Sequence, residues 1–348
     1  MQKHQHGGDI YTNSYKIDFS ANINPWGTPE SVILAAQQGV LESMHYPDVQ
    51  CRELKSALAV KEGVKEEQII CGNGAAELIF SYAMGMKPGK ALLVAPGFAE
   101  YEQALQAVGC KIQRYHVEKE HGFEIQEDYL EYVTKDLDVI FLCNPNNPTG
   151  VRIRKNLLDK ILDKAKDLGI YVVLDSCFIE FMEQPEEADY AGKINEYPNL
   201  FILKAFTKMY AMAGLRLGYG LCGDPAVLEN MKSVMQPWSV SIPAQRAGCA
   251  ALKEEEFVRS SREKITIERR WLTEKMRELG LKVYEGAANY LFFEAPKGLS
   301  DACKKQGILI RDCSNYRGLS EGYYRVAVRT REENEELVRV LELVLKEF

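Results

Sequence analysis

The sequence lacks the features that mark membrane, secreted and nucleic-acid-binding proteins. None of its 348 residues lie in an apolar run near the ~18 needed to cross a membrane, and the N-terminal MQKHQHGGDIY has no signal-peptide segment. Basic residues are fewer than acidic ones, 43 against 50, and the net charge is -7. This balance argues against a general nucleic-acid binder, which needs a basic face. We therefore expect a cytoplasmic protein whose anion-binding sites are local.

Paired metal-ligand and disulfide patterns are missing as well. The nine cysteines occur singly, with no CxxC pair and an odd total. This pattern is typical of reduced thiols. His4 and His6 lie close in sequence but have no cysteine or carboxylate partners beside them, so we expect no metal.

What is present is the composition of a globular chain of about two domains of roughly 150 residues each. Short β-branched runs alternate with longer amphipathic stretches such as residues 155–168, which predicts an α/β domain with a mostly parallel sheet of the seven-stranded type, covered on both faces by helices. The runs are IIC at 69, ALLVAP at 91, DVIFLCNP at 138, YVVLDS at 171, LFILKAF at 200 and LRLGYGLC at 215.

The pattern changes after Pro243. A long polar and amphipathic stretch reaches about Gly280, and it is followed by KVYEG, NYLFFEA, GILIRDC, YYRVAVR and a final helical stretch, EENEELVRVLELVLKEF. We expect a smaller α+β C-terminal domain. The predicted division is 1–40 for an N-terminal arm with part of the small domain, 41–245 for the large domain and 246–348 for the small one.

The ends of the predicted strands are unusually polar, and in open α/β sheets ligands bind beyond these carboxyl ends. Gly72 and Gly74 allow a tight turn before a helix whose first N–H groups suit a phosphate. Asp175 closes an apolar strand, so its carboxylate needs a cation or donors. Lys208 and Arg216 follow the next strand, where a lysine with a lowered pKa can serve as a nucleophile.

These residues give the chain its resemblance to a known family. NPNNPTG, an aspartate closing the next strand, and T-K-x7-R with AGLRLGY occur in one order, and together they resemble the fold-type-I pyridoxal-phosphate enzymes of the aspartate aminotransferase superfamily. In that family the cofactor-bearing lysine precedes the phosphate-binding arginine by eight positions. The resemblance therefore selects Lys208 with Arg216, and it leaves Lys204 as an ordinary strand-end lysine.

The resemblance implies pyridoxal 5'-phosphate as cofactor and assigns roles around it. Asp175 would pair with the protonated ring nitrogen, making the ring an electron sink. Tyr46 would reach the phosphate of a neighbouring subunit's cofactor, which implies a homodimer. The residues placed around the cofactor are Gly74, Ala75, Ala76, Phe98 on the ring face, Asn147 at the 3' oxygen, Asp175, Thr207, Lys208 and Arg216.

Two positions depart from the usual pattern. Ala205 stands where the family usually has a phosphate-binding Ser or Thr, a role Thr207 would take over. Phe178 stands where aminotransferases usually have a tyrosine. Phe178, HGG at 6–8, FSANINPWG and GILIRDCSNYRGL are most similar to the threonine-phosphate decarboxylases of cobalamin biosynthesis. The histidinol-phosphate aminotransferases are the alternative, and phosphoserine is an alternative substrate.

A group of arginines predicts a small, doubly anionic substrate such as a phosphorylated amino acid. Arg325 and Arg329 would share one strand face, roughly 13 Å apart at about 3.3 Å per residue. Arg311 and Arg317 lie near them in sequence. By resemblance Arg325 binds the carboxylate, and His6, Asn24 and Arg311 lie near the substrate.

Two readings from other classes remain open on the sequence. A pyridoxal-phosphate-binding transcription regulator would need an attached DNA-binding module, and no basic helical segment precedes the fold. A purely structural interaction protein would leave Lys208, Asp175 and Arg216 unexplained.

Overall fold

A computed structural model describes residues 6–12 and 14–348, so His4 lies outside the described residues. The strands in these ranges are short and mostly apolar. They are β1 (Ile17–Asp18), β2 (Ile69–Gly72), β3 (Lys90–Ala95), β4 (Lys111–His116), β5 (Val139–Cys143), β6 (Tyr171–Asp175), β7 (Leu200–Ala205), β8 (Gly218–Cys222), β9 (Lys282–Val283), β10 (Tyr290–Glu294), β11 (Ile308–Leu309), β12 (Arg311–Asp312) and β13 (Tyr323–Ala327).

Helices alternate with these strands and then form a long C-terminal run. They are α1 (Glu30–Leu41), α2 (Arg52–Glu62), α3 (Gly74–Met86), α4 (Ala99–Ala107), α5 (Tyr129–Tyr132), α6 (Lys155–Leu168), α7 (Pro225–Lys232), α8 (Ile242–Ala251), α9 (Glu255–Glu278), α10 (Leu299–Lys305) and α11 (Arg331–Val344). Within the described ranges, every helix is too short or too polar to cross a lipid bilayer.

The central sheet has seven strands in the order β2-β8-β7-β6-β5-β3-β4, and only β8 runs antiparallel to its neighbours. The predicted mostly parallel sheet is thereby confirmed. Successive residues of a strand point to opposite faces, and here both faces are buried. On β6, for example, Val172 and Leu174 pack into one apolar cluster, while Val173 packs into the other.

The smaller C-terminal region contains a four-stranded antiparallel sheet, in the order β12-β13-β10-β9. The N-terminal segment joins this region, because β1 pairs in parallel with β11 and Phe19 exchanges backbone hydrogen bonds with Leu309 and Ala327. The α+β prediction is confirmed, and the grouping of the N-terminal segment with the small domain stays a prediction. The boundaries at 40 and 245 stay a prediction.

The short β1 and one strand of the large sheet, β4, escaped the sequence analysis. β4 lies at the edge of the large sheet, and its residues KIQRYH are mostly half-exposed or exposed. An edge strand needs no continuous apolar run, because only part of its surface is covered. Its mixed composition therefore gave no strand signal.

Close packing of the antiparallel strand depends on a glycine. A Cβ added to Gly220 on β8 would lie 2.3 Å from Cζ of Phe201 on β7, well inside van der Waals contact. Phe201 is buried and packs against Tyr82, so its ring cannot move away freely. The site tolerates no side chain without a local shift.

We therefore expect Gly220→Ala to lower the free energy of unfolding by about 1–3 kcal/mol, the usual range for overpacking a core. Urea denaturation followed by circular dichroism measures this change. Gly192→Ala is the matched control, since a Cβ there meets nothing within 4 Å. Equal midpoints for the two variants would contradict the packing argument.

Candidate functional site

A cavity of about 240 Å³ lies beyond the carboxyl ends of the parallel strands, where the N-terminal segment and the C-terminal sheet meet the large sheet. This is the edge at which open α/β sheets bind ligands. Several of the predicted residues line it: His6, Phe98, Asn147, Phe178, Lys208, Arg311, Arg317 and Arg325. The fold therefore brings together residues that are far apart in the chain. His6 and Arg325, for example, are separated by 319 positions.

Lys208 lies in the turn after β7, with its Nζ 5.5 Å from the ring centre of Phe178. Burial and then the nearby charge of Arg325 lower the pKa of Lys208 from 10.5 to about 8. Both effects disfavour the ammonium form. A neutral amine is the nucleophilic form of lysine, so this placement suits covalent chemistry near neutral pH.

Lys204 has a different environment. Its Nζ lies 2.6 Å from Glu62 and 2.9 Å from Asp189 and does not reach the cavity of Lys208. Burial alone would lower its pKa, but the two carboxylates outweigh burial and raise it. Lys204 thus stays an ammonium ion in a buried ion-pair network, which supports its exclusion as the functional lysine.

Asp175 ends β6 and is 5% exposed. One carboxylate oxygen accepts from the backbone N–H of Cys177 at 2.9 Å, and the other accepts from the hydroxyl of Tyr101 at 2.5 Å. No cationic side chain of the described residues forms an ion pair with it. A buried carboxylate in this state can accept a cationic donor from a ligand, such as a protonated ring nitrogen.

Two arginines face each other across the small sheet. Arg311 on β12 lies directly opposite Arg325 on β13, and both are buried. Arg325 donates to Asn147 Oδ1 at 2.5 Å and to the Ser20 carbonyl at 2.9 Å, and its Nε has no partner in the described structure. Like charges directly opposite on a sheet repel, so this pair favours anionic groups in the cavity.

Further contacts fix the orientation of the Arg311 and Asn147 side chains. The Arg311 guanidinium donates to the Asp312 carbonyl at 2.7 Å and to Asn315 Oδ1 at 2.8 Å, and it lies 5.3 Å from the ring centre of Tyr316. The Tyr316 hydroxyl donates to Asn147 Oδ1 at 3.3 Å. With its oxygen occupied by these donors, Asn147 has its amide N–H groups free to donate to a ligand oxygen.

The structure corrects the prediction for Arg329. β13 ends at Ala327, so Arg325 and Arg329 do not share a strand face. The Arg329 guanidinium instead donates to the Asp18 carbonyl at 3.1 Å and to Glu333 at 2.8 Å, and it does not line the cavity. Arg329 ties the N-terminal segment to α11.

Asn24 is also placed differently from the prediction. Its amide donates to the Met209 carbonyl at 2.8 Å and to Ser261 at 2.9 Å, so it supports the turn that carries Lys208 and does not line the cavity. Asn22 lines it instead, with a buried Oδ1 that has no partner in the described structure. The sequence analysis missed Asn22, although the motif FSANINP contains both asparagines two positions apart.

The mouth of the cavity carries a second set of charges. Glu102 accepts from Arg114 at 2.8 Å and from Arg317 at 3.3 Å, and it is largely buried. His6 lies 3.4 Å from Glu100, and burial together with Arg311 lowers the pKa of its imidazole. The predicted arginine cluster thus divides into an inner pair, Arg311 and Arg325, and an outer Arg317 that pairs with protein.

The start of α3 and Arg216, where the resemblance places the cofactor phosphate, are not among the residues that line the 240 Å³ cavity, but they contact each other. A Cβ on Gly74 would lie 2.6 Å from the Arg216 guanidinium, which therefore packs directly on the backbone at the helix N-terminus. Arg216 has a φ of 59°, a strained value for a residue other than glycine and one often found at functional sites. The backbone N–H groups of Ala75 and Ala76 belong to this first turn, where they suit an anion.

The remaining predicted residues have distinct positions. Thr207 directly precedes Lys208 in its turn, and Ala205 closes β7. The Phe98 ring borders the cavity and stacks edge-on with Tyr101, 5.5 Å between centres. Tyr46 is 78% exposed, rests on Trp238 and does not line this cavity.

The residues present fit the cofactor that the resemblance implies. Lys208 with its lowered pKa and the aromatic Phe98 line one cavity, and the buried carboxylate of Asp175 lies close enough to influence the pKa of Lys208. A helix N-terminus with an arginine packed on it provides for a phosphate. The fit rests on the chemistry of these groups: Asp175 is buried with two neutral donors and forms no ion pair among the described residues, and Lys208 is buried with a lowered pKa.

The lowered pKa of Lys208 gives a prediction that needs no ligand. In protein freed of small molecules, acetylation of Lys208 by acetic anhydride should rise with pH around a midpoint near 8. Peptide mass spectrometry measures the profile, and Lys204 should react only at higher pH because its pKa is raised.

Arg325→Gln should move the Lys208 midpoint upward, because it removes the neighbouring positive charge. Arg329→Gln is the matched control, since that guanidinium lies outside the cavity, and it should leave the midpoint unchanged. A Lys208 midpoint at the ordinary value of 10.5 in the unmodified protein would contradict the electrostatic description.

Comparison with known proteins agrees with this site. The family model described as aminotransferase class I and II matches residues 14–341. A threonine-phosphate decarboxylase from Salmonella typhimurium is 39% identical over 98% of this chain and 96% of its own length. A histidinol-phosphate aminotransferase from Methanosphaera stadtmanae is 30% identical over 95% of this chain and 90% of its own length.

A solved structure agrees in fold. The histidinol-phosphate aminotransferase from Clostridium acetobutylicum superposes with a TM-score of 0.90 at 29% identity, over 96% of this chain and 100% of that chain. The cofactor of such enzymes is pyridoxal phosphate, for which Lys208, Asp175 and Arg216 are suited. The chain therefore belongs to the class I and II aminotransferase family of pyridoxal-phosphate enzymes.

Proposed function

We propose that this protein decarboxylates L-threonine O-3-phosphate to (R)-1-aminopropan-2-ol O-phosphate, a step of cobalamin biosynthesis. The observation that carries the proposal is the buried pair Arg311 and Arg325, directly opposite each other beside Lys208. Two guanidinium groups suit a substrate with both a carboxylate and a phosphate. The 39% identical relative from Salmonella typhimurium, a threonine-phosphate decarboxylase, supports this choice.

The cofactor would be held at three points. Lys208 would carry it covalently, Asp175 would pair with its ring nitrogen, and Arg216 with the first turn of α3 would bind its phosphate. When bound, pyridoxal phosphate supplies an electron sink for the electron pair left behind when a bond to the substrate Cα breaks. Asn147 would donate to the 3' oxygen through its free amide group.

The substrate's two anionic groups would be bound by the two buried arginines. Arg325 would bind the carboxylate and Arg311 the phosphate, with His6 and the unpartnered Asn22 Oδ1 beside them. The substrate amine would take the place of Lys208, and the freed Lys208 would receive the proton of the substrate ammonium group and deliver it to Cα after CO2 has left. Phe178 presents an apolar ring toward Lys208 and excludes water from that side.

Histidinol-phosphate transamination is the second candidate, favoured by the TM-score of 0.90 to an enzyme of that name. The two reactions differ in which bond at Cα breaks, C–C or C–H. The same lysine, aspartate and arginines serve both, so the geometry of the described residues does not separate them.

Substrate turnover without a keto acid distinguishes the two reactions. Incubated with L-threonine phosphate alone, the enzyme should release many equivalents of CO2 per active site, because decarboxylation needs no second substrate. A transaminase stops after one half-reaction. Labelled CO2 trapped from carboxyl-labelled substrate measures the yield, and L-serine phosphate tests whether the extra methyl is recognised.

Lys208→Ala is the negative control and should release no CO2. Lys204→Met should still release it, although with lower stability, because it leaves Glu62 and Asp189 without their cation. Sustained glutamate formation from histidinol phosphate and 2-oxoglutarate, without CO2 from either phosphoamino acid, would reject the decarboxylase and favour the second candidate.

We also propose that the protein is a homodimer in which Tyr46 reaches the partner's cofactor phosphate. The support is an exposed apolar surface near Tyr46, which includes Leu41 at 76% and Met44 at 85% exposure. Exposed large apolar side chains close together in sequence are consistent with an interface. All nine cysteines are free, which supports the cytoplasm as the compartment.

Subunit mixing tests the role of Tyr46. Tyr46→Ala and Lys208→Ala should each be nearly inactive, because each removes one group from both sites of a dimer. Unfolded together and refolded in equal amounts, they should recover about a quarter of wild-type activity, since random pairing yields half mixed dimers with one intact site each. No recovery, with mixed dimers present by native mass spectrometry, would contradict a site shared between subunits.

A further inference from the structure

Tyr101 has a contact that neither the sequence motifs nor the proposed reaction uses. It lies on α4, and alternation along β6 points Asp175 to the same face of the sheet as Val173, the face that α4 covers. The Tyr101 hydroxyl donates to Asp175 Oδ2 at 2.5 Å, and the residue is 4% exposed. This is a buried, charge-assisted hydrogen bond, a stronger kind than one between neutral groups.

The same side chain also touches the aromatic residue at the cavity wall. The Tyr101 ring lies 5.5 Å from the ring of Phe98, in edge-to-face geometry, and 5.3 Å from Phe141. Tyr101 therefore connects two groups expected on the cofactor ring, the carboxylate at its nitrogen and the aromatic on its face. Burial, and then the charge of Asp175, raise the pKa of its phenol, so Tyr101 stays protonated and able to donate.

We propose that Tyr101 is a positioning residue that keeps Asp175 ionised and oriented, so that the proton shared between Asp175 and the cofactor ring nitrogen resides on the ring. A donor to a carboxylate stabilises its charged form and lowers its affinity for a proton. Loss of the hydroxyl leaves the Cys177 N–H as the other donor seen in the structure. Asp175 is then held by one donor fewer, and its charge is less well oriented toward the proton that the ring needs as an electron sink.

The proposal rests on the cofactor being pyridoxal phosphate, not on decarboxylation, so it survives if the second candidate reaction is the true one. The test uses holoenzyme loaded with cofactor labelled with 15N in the ring. The 15N chemical shift of the cofactor ring reports whether the ring nitrogen is protonated. In Tyr101→Phe we expect the signal to move from the protonated position toward that of Asp175→Asn, which serves as the reference for a ring without its carboxylate.

Tyr82→Phe is a matched control. Tyr82 lies in the same apolar cluster, its ring is 5.8 Å from Phe141, and its buried hydroxyl has no partner in the described structure. Removing that hydroxyl should leave the 15N signal and turnover unchanged. Tyr101→Phe should lower kcat on the order of tenfold to a hundredfold with little change in KM, the range for losing one hydrogen bond to a charged group.

A second experiment reconstitutes the enzyme with a cofactor analogue that has carbon in place of the ring nitrogen, so that the effects of Tyr101 and of the nitrogen are compared separately and together. In that background Tyr101→Phe should cost almost nothing further, because Tyr101 acts through the ring nitrogen. A 15N signal at the wild-type position would overturn the proposal. An undiminished loss of kcat in Tyr101→Phe with the carbon analogue would also overturn it. So would a cofactor-free Tyr101→Phe protein that melts well below Tyr82→Phe, because the Tyr101 hydroxyl would then stabilise the fold.

Discussion

The site depends on a buried carboxylate that forms no ion pair with any of the residues the structure describes. Asp175 is 5% exposed and is held by the Tyr101 hydroxyl and the Cys177 backbone N–H. An isolated buried anion is costly, and a bound cationic group relieves that cost. Because Asp175 forms no ion pair among the described residues, a ligand that brings a positive charge to this point would be stabilised there.

Two positively charged arginines line the cavity, and neither forms an ion pair among the described residues. Arg311 and Arg325 lie opposite each other on adjacent strands. Burial is the largest cause of the lowered pKa of Lys208, and the charge of Arg325 is the second. These cations repel each other, so an anionic substrate is stabilised where it meets them. Lys204 differs from these arginines, because its charge is neutralised within the protein by ion pairs with Glu62 and Asp189.

Contacts that support the site come from both ends of the chain. Arg325 donates to the Ser20 carbonyl, Arg329 to the Asp18 carbonyl, and Asn24 to the Met209 carbonyl beside Lys208. The N-terminal segment thus braces both the arginine strand and the lysine turn. Arg329 and Asn24, which were predicted to lie near the substrate, do not line the cavity and instead hold the N-terminal segment against α11 and the Lys208 turn.

The sequence by itself determined the strand and helix periods and the polar residues at strand ends, because these depend on local pattern. The prediction of Lys208 over Lys204 came from the resemblance to a known family. The sequence did not determine the end of β13 at Ala327, which removed Arg329 from the cavity, or the edge strand β4. Nor could it pair Arg311 with Arg325 or Tyr101 with Asp175. Such contacts join residues that are 14 and 74 positions apart by number, and only strand register and helix packing bring them together.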